Sequence, residues 1–240
     1  MRESRRPPLF NRESRNEPEL VPGLFRLREL DFRALKRRGT QHLSYGQIME
    51  YLKRLVYHVV RWPRSHGFGV QSPFAYRFVT DVVREAYPYY AYGELAEKYK
   101  TDRFSLPFLQ FLLRLSNFRQ GRYWVSNNLK SVELAYLRAG CRRAELLSSY
   151  AKPDGVILDL VALEADEGYD YSFYRKYASL LGPDGVMVIE GIRRNRHCRR
   201  FWRQVRADSK SVVTFDIYDC GVVFFDATKP KKNYKVMFSL

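Results

Sequence analysis

The stretch Tyr169–Ile192 limits what this chain can fold into more than any other part of the sequence. Aromatic and apolar residues recur every three to four positions over Tyr171–Leu181, which predicts an amphipathic helix. The Gly-Pro-Asp-Gly segment at 182–185 predicts a turn, because proline cannot continue a helix and glycine accepts turn conformations. The apolar run Val186–Ile189 has no polar alternation, which is typical of a strand covered on both faces. We therefore expect half of a βαβ unit, with Glu190 at the carboxyl end of its strand, where open α/β sheets bind ligands.

Strands and helices also alternate over the rest of the second half of the chain. Strands are predicted at 122–126, 144–147, 156–160, 211–217, 221–225 and 234–238, with helices at 129–138 and 195–207. The three residues between the strands at 211–217 and 221–225 are few enough for an antiparallel hairpin. The fold class expected is α/β, with a mostly parallel sheet that ends in this hairpin.

The first half of the chain is predicted to be helical rather than sheet-forming. A helix is expected at 47–62, closed by Pro63, and a second begins with Ser72 as N-cap and Pro73 in its first turn. Residues 1–41 contain ten Arg, one Lys and six acidic residues with weak apolar periodicity, so they predict a basic, disordered extension. A phosphate-binding arm is the alternative for this segment. The predicted organisation is thus an extension at 1–41, a helical region at 42–118 and a Rossmann-like domain at 119–240.

Charge is the second informative property of the sequence. The formal net charge is +16 and the isoelectric point about 9.8, which favours polyanions or membrane surfaces as neighbours. The predicted helix at 195–207 lies in the densest basic region, where one acidic residue, Asp208, accompanies eight basic ones. These are Arg193, Arg194, Arg196, Arg199, Arg200, Arg203, Arg206 and Lys210. The region is either a solvated face or a surface that binds an anion such as RNA through Arg199, Arg200 and Arg203.

Cysteine content and hydropathy predict a cytoplasmic protein. The three cysteines are widely spaced and form no CxxC pair, so the sequence indicates no disulfide framework. The N-terminus lacks the apolar core of a signal peptide. The most apolar window, at 104–115, is too short to span a bilayer and contains Arg114.

Taken together, residues 49–240 resemble the class I S-adenosylmethionine-dependent methyltransferases. The segments Val156–Leu160, Tyr171–Leu181 and Val186–Glu190 are similar to the family's fourth strand, following helix and fifth strand. The hairpin at 212–225 resembles the family's closing strands, and the Ser-Pro-Phe motif at 72–74 resembles the N-terminal extension of a small bacterial subgroup. The resemblance implies S-adenosylmethionine as the cofactor.

The sequence departs from that family where the cofactor is usually held. Ser126, Asn127 and Asn128 stand where members of the family carry a glycine-rich loop. The region 146–150, which matches the end of the second strand, contains no acidic residue to hold the ribose hydroxyls. The resemblance implies that the cofactor would instead contact Ser126, Asn127, Asn128 and Asp159.

Asp159 and Glu190 are the candidate catalytic residues. The resemblance places both near the cofactor and substrate, and carboxylates at neighbouring strand ends can bind a cation or accept a proton. Capping of a helix or a surface ion pair is the plainer alternative for each. The sequence contains no P-loop, no nucleophile–base pair and no metal-ligand cluster, so no metal site is predicted.

Two interpretations of function remain open from the sequence. In the first, a divergent methyltransferase binds S-adenosylmethionine through the altered loop and positions an acceptor near Asp159 and Glu190. In the second, a non-catalytic protein with the same fold, a pseudoenzyme, binds an anionic partner such as RNA through its basic helix.

Overall fold

The computed structural model describes residues 45–101, 105–147, 155–166, 168 and 170–238. The chain divides into two compact units after Leu52, and every contact given below lies within Lys53–Leu240. The extension predicted at 1–41 lies outside the described residues.

The described residues alternate between helices and strands along the whole second half. The helices are α1 (Tyr45–Ser65), α2 (Pro73–Phe78), a π-helical turn (Val79–Val83), α3 (Tyr90–Tyr99), α4 (Leu106–Arg119), α5 (Ser131–Gly140), α6 (Tyr171–Ala178) and α7 (Arg196–Ala207). The strands are β1 (Tyr123–Asn127), β2 (Glu145–Leu147), β3 (Leu158–Glu164), β4 (Leu181–Glu190), β5 (Val213–Asp216), β6 (Cys220–Phe224) and β7 (Lys232–Lys235).

The seven strands form one sheet in the order β2-β1-β3-β4-β6-β5-β7. The first four are parallel, β6 is antiparallel to β4 and β5, and β7 is parallel to β5 at the far edge. The parallel half is a Rossmann-type sheet, and among the described residues no strand lies outside β2. Ten residues separate β2 from β3, too few for a further helix, strand and helix. The predicted fold is confirmed: this is a mostly parallel α/β sheet of the Rossmann-like type that ends in an antiparallel hairpin.

Helices cover both faces of the sheet, which explains why its strands show no polar alternation. On β3, Leu160 and Ala162 face one core with α2, α4 and α5, whereas Val161 and Leu163 face the other core with α6 and α7. A strand with both faces buried needs apolar residues at every position. Of the helices that the structure describes, none combines the length and apolar character needed to cross a bilayer.

The predicted N-cap of the second helix is confirmed. The Ala75 backbone N–H donates to Ser72 Oγ at 3.4 Å, and Pro73 occupies the first turn of α2. The helix then continues as the π-helical turn, and Phe78 packs edge-on against Phe224 of the sheet at 4.9 Å. The helices of the predicted region 42–118 therefore cover the sheet within the unit Lys53–Leu240.

The predicted helix at 47–62 is also present, but its boundaries and its buried face differ from expectation. Pro63 lies inside the last turn of α1 rather than after it. Val56 and Val59, which recur at helical spacing in the sequence and would be expected to face the core, are 62% and 49% exposed. Periodicity alone does not show which part of an apolar stripe meets the core.

Two boundaries around β3 and β4 differ from the sequence prediction. β3 starts two residues later than Val156 and continues to Glu164, since the apolar run has no internal breaker. The Gly-Pro-Asp-Gly segment does not separate a helix at Leu181 from a strand at Val186. It is a bulge inside β4, where Leu158 pairs with Leu181 and Leu160 already pairs with Val186.

Candidate functional site

The carboxyl ends of β1, β3 and β4 meet at one margin of the sheet, which we call the carboxyl edge. Asn127 ends β1 opposite Leu163, while Glu164 ends β3 directly opposite Glu190 of β4. The chain changes direction across the sheet between β1 and β3, because β2 lies on one side of β1 and β3 on the other. Open α/β sheets bind ligands at such a switch point.

Glu190 is the most perturbed acid at the carboxyl edge. Its Oε2 atom is buried and has no hydrogen-bond partner among the described residues. Burial raises the pKa of Glu190 to about 7, and the neighbouring carboxylates of Glu133 and Glu164 raise it further against the opposing charges of Lys130 and Arg194. A carboxyl group with this pKa exchanges a proton near neutral pH.

Glu164, by contrast, already has a strong cationic partner. Arg194, in the loop between β4 and α7, pairs with Glu164 Oε1 through Nη2 and donates from Nη1 to the Ala165 carbonyl at 3.2 Å. Gly191 makes this loop possible: its φ is +75°, and an added Cβ would lie 3.2 Å from the Arg194 guanidinium. Arg194 thus holds the ends of β3 and β4 together beside Glu190.

The loop between β1 and α5 forms the other wall of the carboxyl edge. Asn128 is exposed and has φ +60°, the left-handed conformation that glycine adopts most easily. The Lys130 backbone N–H donates to Glu133 Oε2 at 2.7 Å, so Glu133 fills the helix N-terminus that could otherwise receive an anion. The Lys130 ammonium is 64% exposed and lies 3.4 Å from Glu133 Oε1.

The predicted position of Asp159 at the carboxyl edge is wrong. Asp159 is the second residue of β3, about 16 Å from the strand's other end at the usual rise per residue. Its side chain accepts hydrogen bonds from Arg119 Nη2 at 2.8 Å and from the backbone N–H groups of Arg122 at 2.8 Å and Tyr123 at 3.0 Å. Asp159 therefore fastens the start of β1 at the opposite edge, far from Glu190 and from Ser126, Asn127 and Asn128.

The carboxylate pair expected at neighbouring strand ends nevertheless exists, with Glu164 in place of Asp159. The sequence carried a usable signal, since the apolar run through Val161–Leu163 continues until Glu164. Lys130, Glu133 and Arg194 were also missed as members of this cluster, because their contribution depends on how the loops fold over the strand ends.

A second charged feature lies beside α7, and we call it the arginine groove. It has a volume of about 610 Å³ and contains the three arginines named from the sequence, Arg199, Arg200 and Arg203. The other lining residues are Ile192, Arg193, Arg196, Trp202, Arg206, Asp216 and Lys235. Within the described part of the chain, no ion pair neutralises Arg199, Arg200 or Arg203.

Asp216 is the single carboxylate among the residues lining the arginine groove, and it is already paired. Arg61 Nη1 lies 2.9 Å from its Oδ1, and Arg193 Nη2 lies 2.7 Å from its Oδ2. The groove therefore keeps a large excess of positive charge. In the described residues, no group of three His, Cys, Asp or Glu side chains is placed to hold a metal ion.

No protein-family model matches the chain, and no curated protein matches it significantly. Among solved structures, an O-methyltransferase from Bacillus cereus in complex with SAH is similar, with 13% identity, 62% of this chain and 96% of that chain covered, and a TM-score of 0.40. A Klebsiella pneumoniae protein that has been proposed to be an O-methyltransferase is 11% identical over 59% of this chain and 92% of its own, with a TM-score of 0.43. The SAH-bound Podospora anserina methyltransferase PaMTH1 is 10% identical over 59% and 90%, also with a TM-score of 0.43.

Proposed function

We propose that this chain binds S-adenosylmethionine or S-adenosylhomocysteine at the carboxyl edge of its sheet. The observation that carries the proposal is the Glu190 carboxyl group at the carboxyl edge, with a buried Oε2 atom that has no partner among the described residues. The methionine end of the cofactor carries a positive ammonium group and a carboxylate. Glu190 offers an acceptor to the ammonium group, and the exposed Lys130 ammonium offers a donor to the carboxylate.

The described residues match the methionine end of the cofactor better than its ribose. β2 ends at Leu147 without a carboxylate for the ribose hydroxyls, and Glu145, at its other end, pairs with Arg122. Asn128 adopts the left-handed conformation that a glycine in the family's loop would adopt, but unlike glycine it places a side chain there. We therefore expect weak binding, with a Kd between micromolar and millimolar, or about 4–8 kcal/mol of binding free energy.

When bound, the cofactor supplies an electrophilic methyl group, and the protein's part is to position an acceptor beside it. Glu190 would hold the cofactor in place through the ammonium group, and because that positive charge keeps the carboxylate ionised, the proton of the acceptor is released to solvent. Glu164 already forms an ion pair with Arg194, so its part is to keep the carboxyl edge rigid. The acceptor would enter beside Glu190, where the end of β4 meets the end of β3.

Isothermal titration with both forms of the cofactor tests this function. We expect binding by the wild type and about tenfold weaker binding by Glu190→Gln, since one charge-assisted contact is worth roughly 1.4 kcal/mol. Glu145→Gln is the matched control, because it removes a strand-borne carboxylate at the opposite edge and should leave the Kd unchanged. Absence of binding at millimolar cofactor, or equal affinity of Glu190→Gln and the wild type, would overturn the proposal.

A second candidate function is supported by the arginine groove: binding of an anionic partner such as RNA. The seven basic residues that line it face one paired carboxylate. This function needs neither the cofactor nor Glu190, so the chain can perform it with or without methyl transfer.

A further inference from the structure

We infer that the arginine groove binds the phosphate backbone of a single-stranded nucleic acid, independently of base sequence. The inference deepens the second proposed function and does not depend on cofactor binding. It is carried by the arrangement of the arginines on α7, by buried donors in the wall of the groove, and by the burial of the helix's apolar side.

The arginines form a row rather than a ring. Arg196, Arg199, Arg200, Arg203 and Arg206 all line the groove and share one side of α7. From Arg196 to Arg206 the helix rises about 15 Å, with a basic residue every turn. A single phosphate ion would require donors that converge on one point, whereas a row of guanidinium groups matches successive phosphates along a chain.

The wall of the groove also holds hydrogen-bond donors that lack acceptors. Trp202 is 4% exposed, and its Nε1 atom is buried without a partner among the described residues. The Nε atoms of Arg193 and Arg206 are likewise buried and unpartnered there. All three atoms can only donate, and buried donors are normally satisfied. These atoms have almost no accessible surface, so a ligand rich in acceptor oxygens, as a phosphodiester backbone is, would satisfy them only after side chains that line the groove move aside.

The same helix argues against an anionic membrane as the partner. A helix that binds a bilayer surface leaves an apolar face exposed for insertion. On α7 the apolar residues Phe201, Trp202 and Val205 are at most 4% exposed and pack against the sheet. The accessible side therefore carries the arginines with His197, Gln204 and Ala207, and no large apolar side chain.

The shape of the surface favours a single strand over a duplex. A helix that reads duplex DNA projects into the major groove. Here the basic side of α7 faces a hollow whose other wall includes Asp216 and Lys235 from the adjacent strands. Such a hollow can hold a single strand of nucleic acid between its walls. None of its lining residues is an exposed aromatic ring, so stacking on bases does not contribute and sequence preference should be small.

The test measures fluorescence anisotropy of labelled twelve-nucleotide oligo-U RNA and oligo-T DNA without cofactor, over a series of salt concentrations. With about four phosphates neutralised, log K should fall against log salt with a slope near −2.8, or about fifty-fold between 50 and 200 mM salt. Replacing Arg199, Arg200 and Arg203 by Gln should weaken binding at least tenfold and reduce the slope to about −0.7, the value for one remaining phosphate contact. Equal RNA and DNA affinities would identify the backbone charge as the ligand, and tighter RNA binding would add contacts with the 2′-hydroxyl groups.

Controls separate the groove from net charge and from the cofactor site. The triple change Arg64→Gln, Arg138→Gln and Arg142→Gln removes the same charge from exposed positions outside the groove and should leave affinity within about twofold. Glu190→Gln should not affect nucleic-acid binding, so failure of either function is recognised separately. The inference is overturned if both triple variants lose affinity equally, if phosphatidylserine vesicles compete as well as RNA, or if a duplex binds more tightly than the single strand.

Discussion

Arg61 and Asp216 form a buried ion pair that joins α1 to the last strands of the sheet, with Nη1 2.9 Å from Oδ1 and both side chains 3% exposed. The same Arg61 nitrogen donates to the carbonyls of Asp216 at 3.0 Å and Val236 at 3.2 Å. Asp216 also pairs with Arg193, whose guanidinium lies 5.2 Å from the centre of the Tyr218 ring. The pair therefore fastens the Arg61 end of α1 to the sheet and holds in place Asp216, which lines the arginine groove.

Removing Arg61 should strongly destabilise the protein. Arg61→Ala leaves the buried Asp216 carboxylate with Arg193 as its one remaining ion-pair partner among the described residues and takes a donor from the Asp216 and Val236 carbonyls, so we expect a loss of about 3–5 kcal/mol in the free energy of unfolding. Urea denaturation measures it. Arg77→Ala removes an exposed ion pair with Asp81 one helical turn away and should cost less than about 0.5 kcal/mol. Similar losses of stability in Arg61→Ala and Arg77→Ala would contradict the expectation that the buried ion pair contributes more than the exposed one.

Asp159→Ala tests the structural role that the hydrogen bonds assign to Asp159. Loss of three accepted hydrogen bonds should cost about 2–3 kcal/mol of stability and loosen the start of β1. The Kd for the cofactor should stay the same, because the carboxyl edge lies at the other end of the strand. A large change in the Kd for the cofactor, with the free energy of unfolding unchanged, would show that Asp159 does take part in cofactor binding.

Glu190 should make stability depend on pH between about 4.5 and 7. Its pKa is raised to about 7 in the folded protein from an ordinary value of 4.5, so the folded state holds its proton more tightly than the unfolded state. The wild type should lose stability as pH rises through this window, by about 2–3 kcal/mol in total. Glu190→Gln stays neutral and should unfold at higher urea than the wild type at pH 8 but not at pH 4. If the urea midpoints of Glu190→Gln and the wild type differ by the same amount at pH 4 and at pH 8, this explanation is excluded.

Gly221→Ala should disturb the arginine groove through Trp202. A Cβ on Gly221 would lie 2.5–2.8 Å from three atoms of the indole ring, closer than packed atoms approach. We expect a loss of about 2 kcal/mol from overpacking and a shift of Trp202 toward the groove. Tryptophan fluorescence and urea denaturation report the two effects, and Gly93→Ala, where nothing lies within 4 Å, is the control. Unchanged fluorescence would show that the ring adapts without moving.

Local signals in the sequence predicted most of the elements correctly, because each signal acts over a few residues. Ser72 and Pro73 marked the start of α2, and the uninterrupted run at Val186–Ile189 marked a strand buried on both faces. The basic helix was recognisable in the same way, since Cys198, Phe201, Trp202 and Val205 fall on one side of α7.

What the sequence determined about this protein is its order of helices and strands, its buried runs and its basic helix. Only the tertiary structure decided which charges meet. Asp159 was misplaced because the apolar run through β3 contains no signal for where the strand begins, and a difference of a few residues moves a side chain from one edge of the sheet to the other. Glu164, Arg194 and Lys130 gather around Glu190, and Arg61 reaches Asp216 across 155 positions, because the folded sheet brings together charges that no local pattern connects.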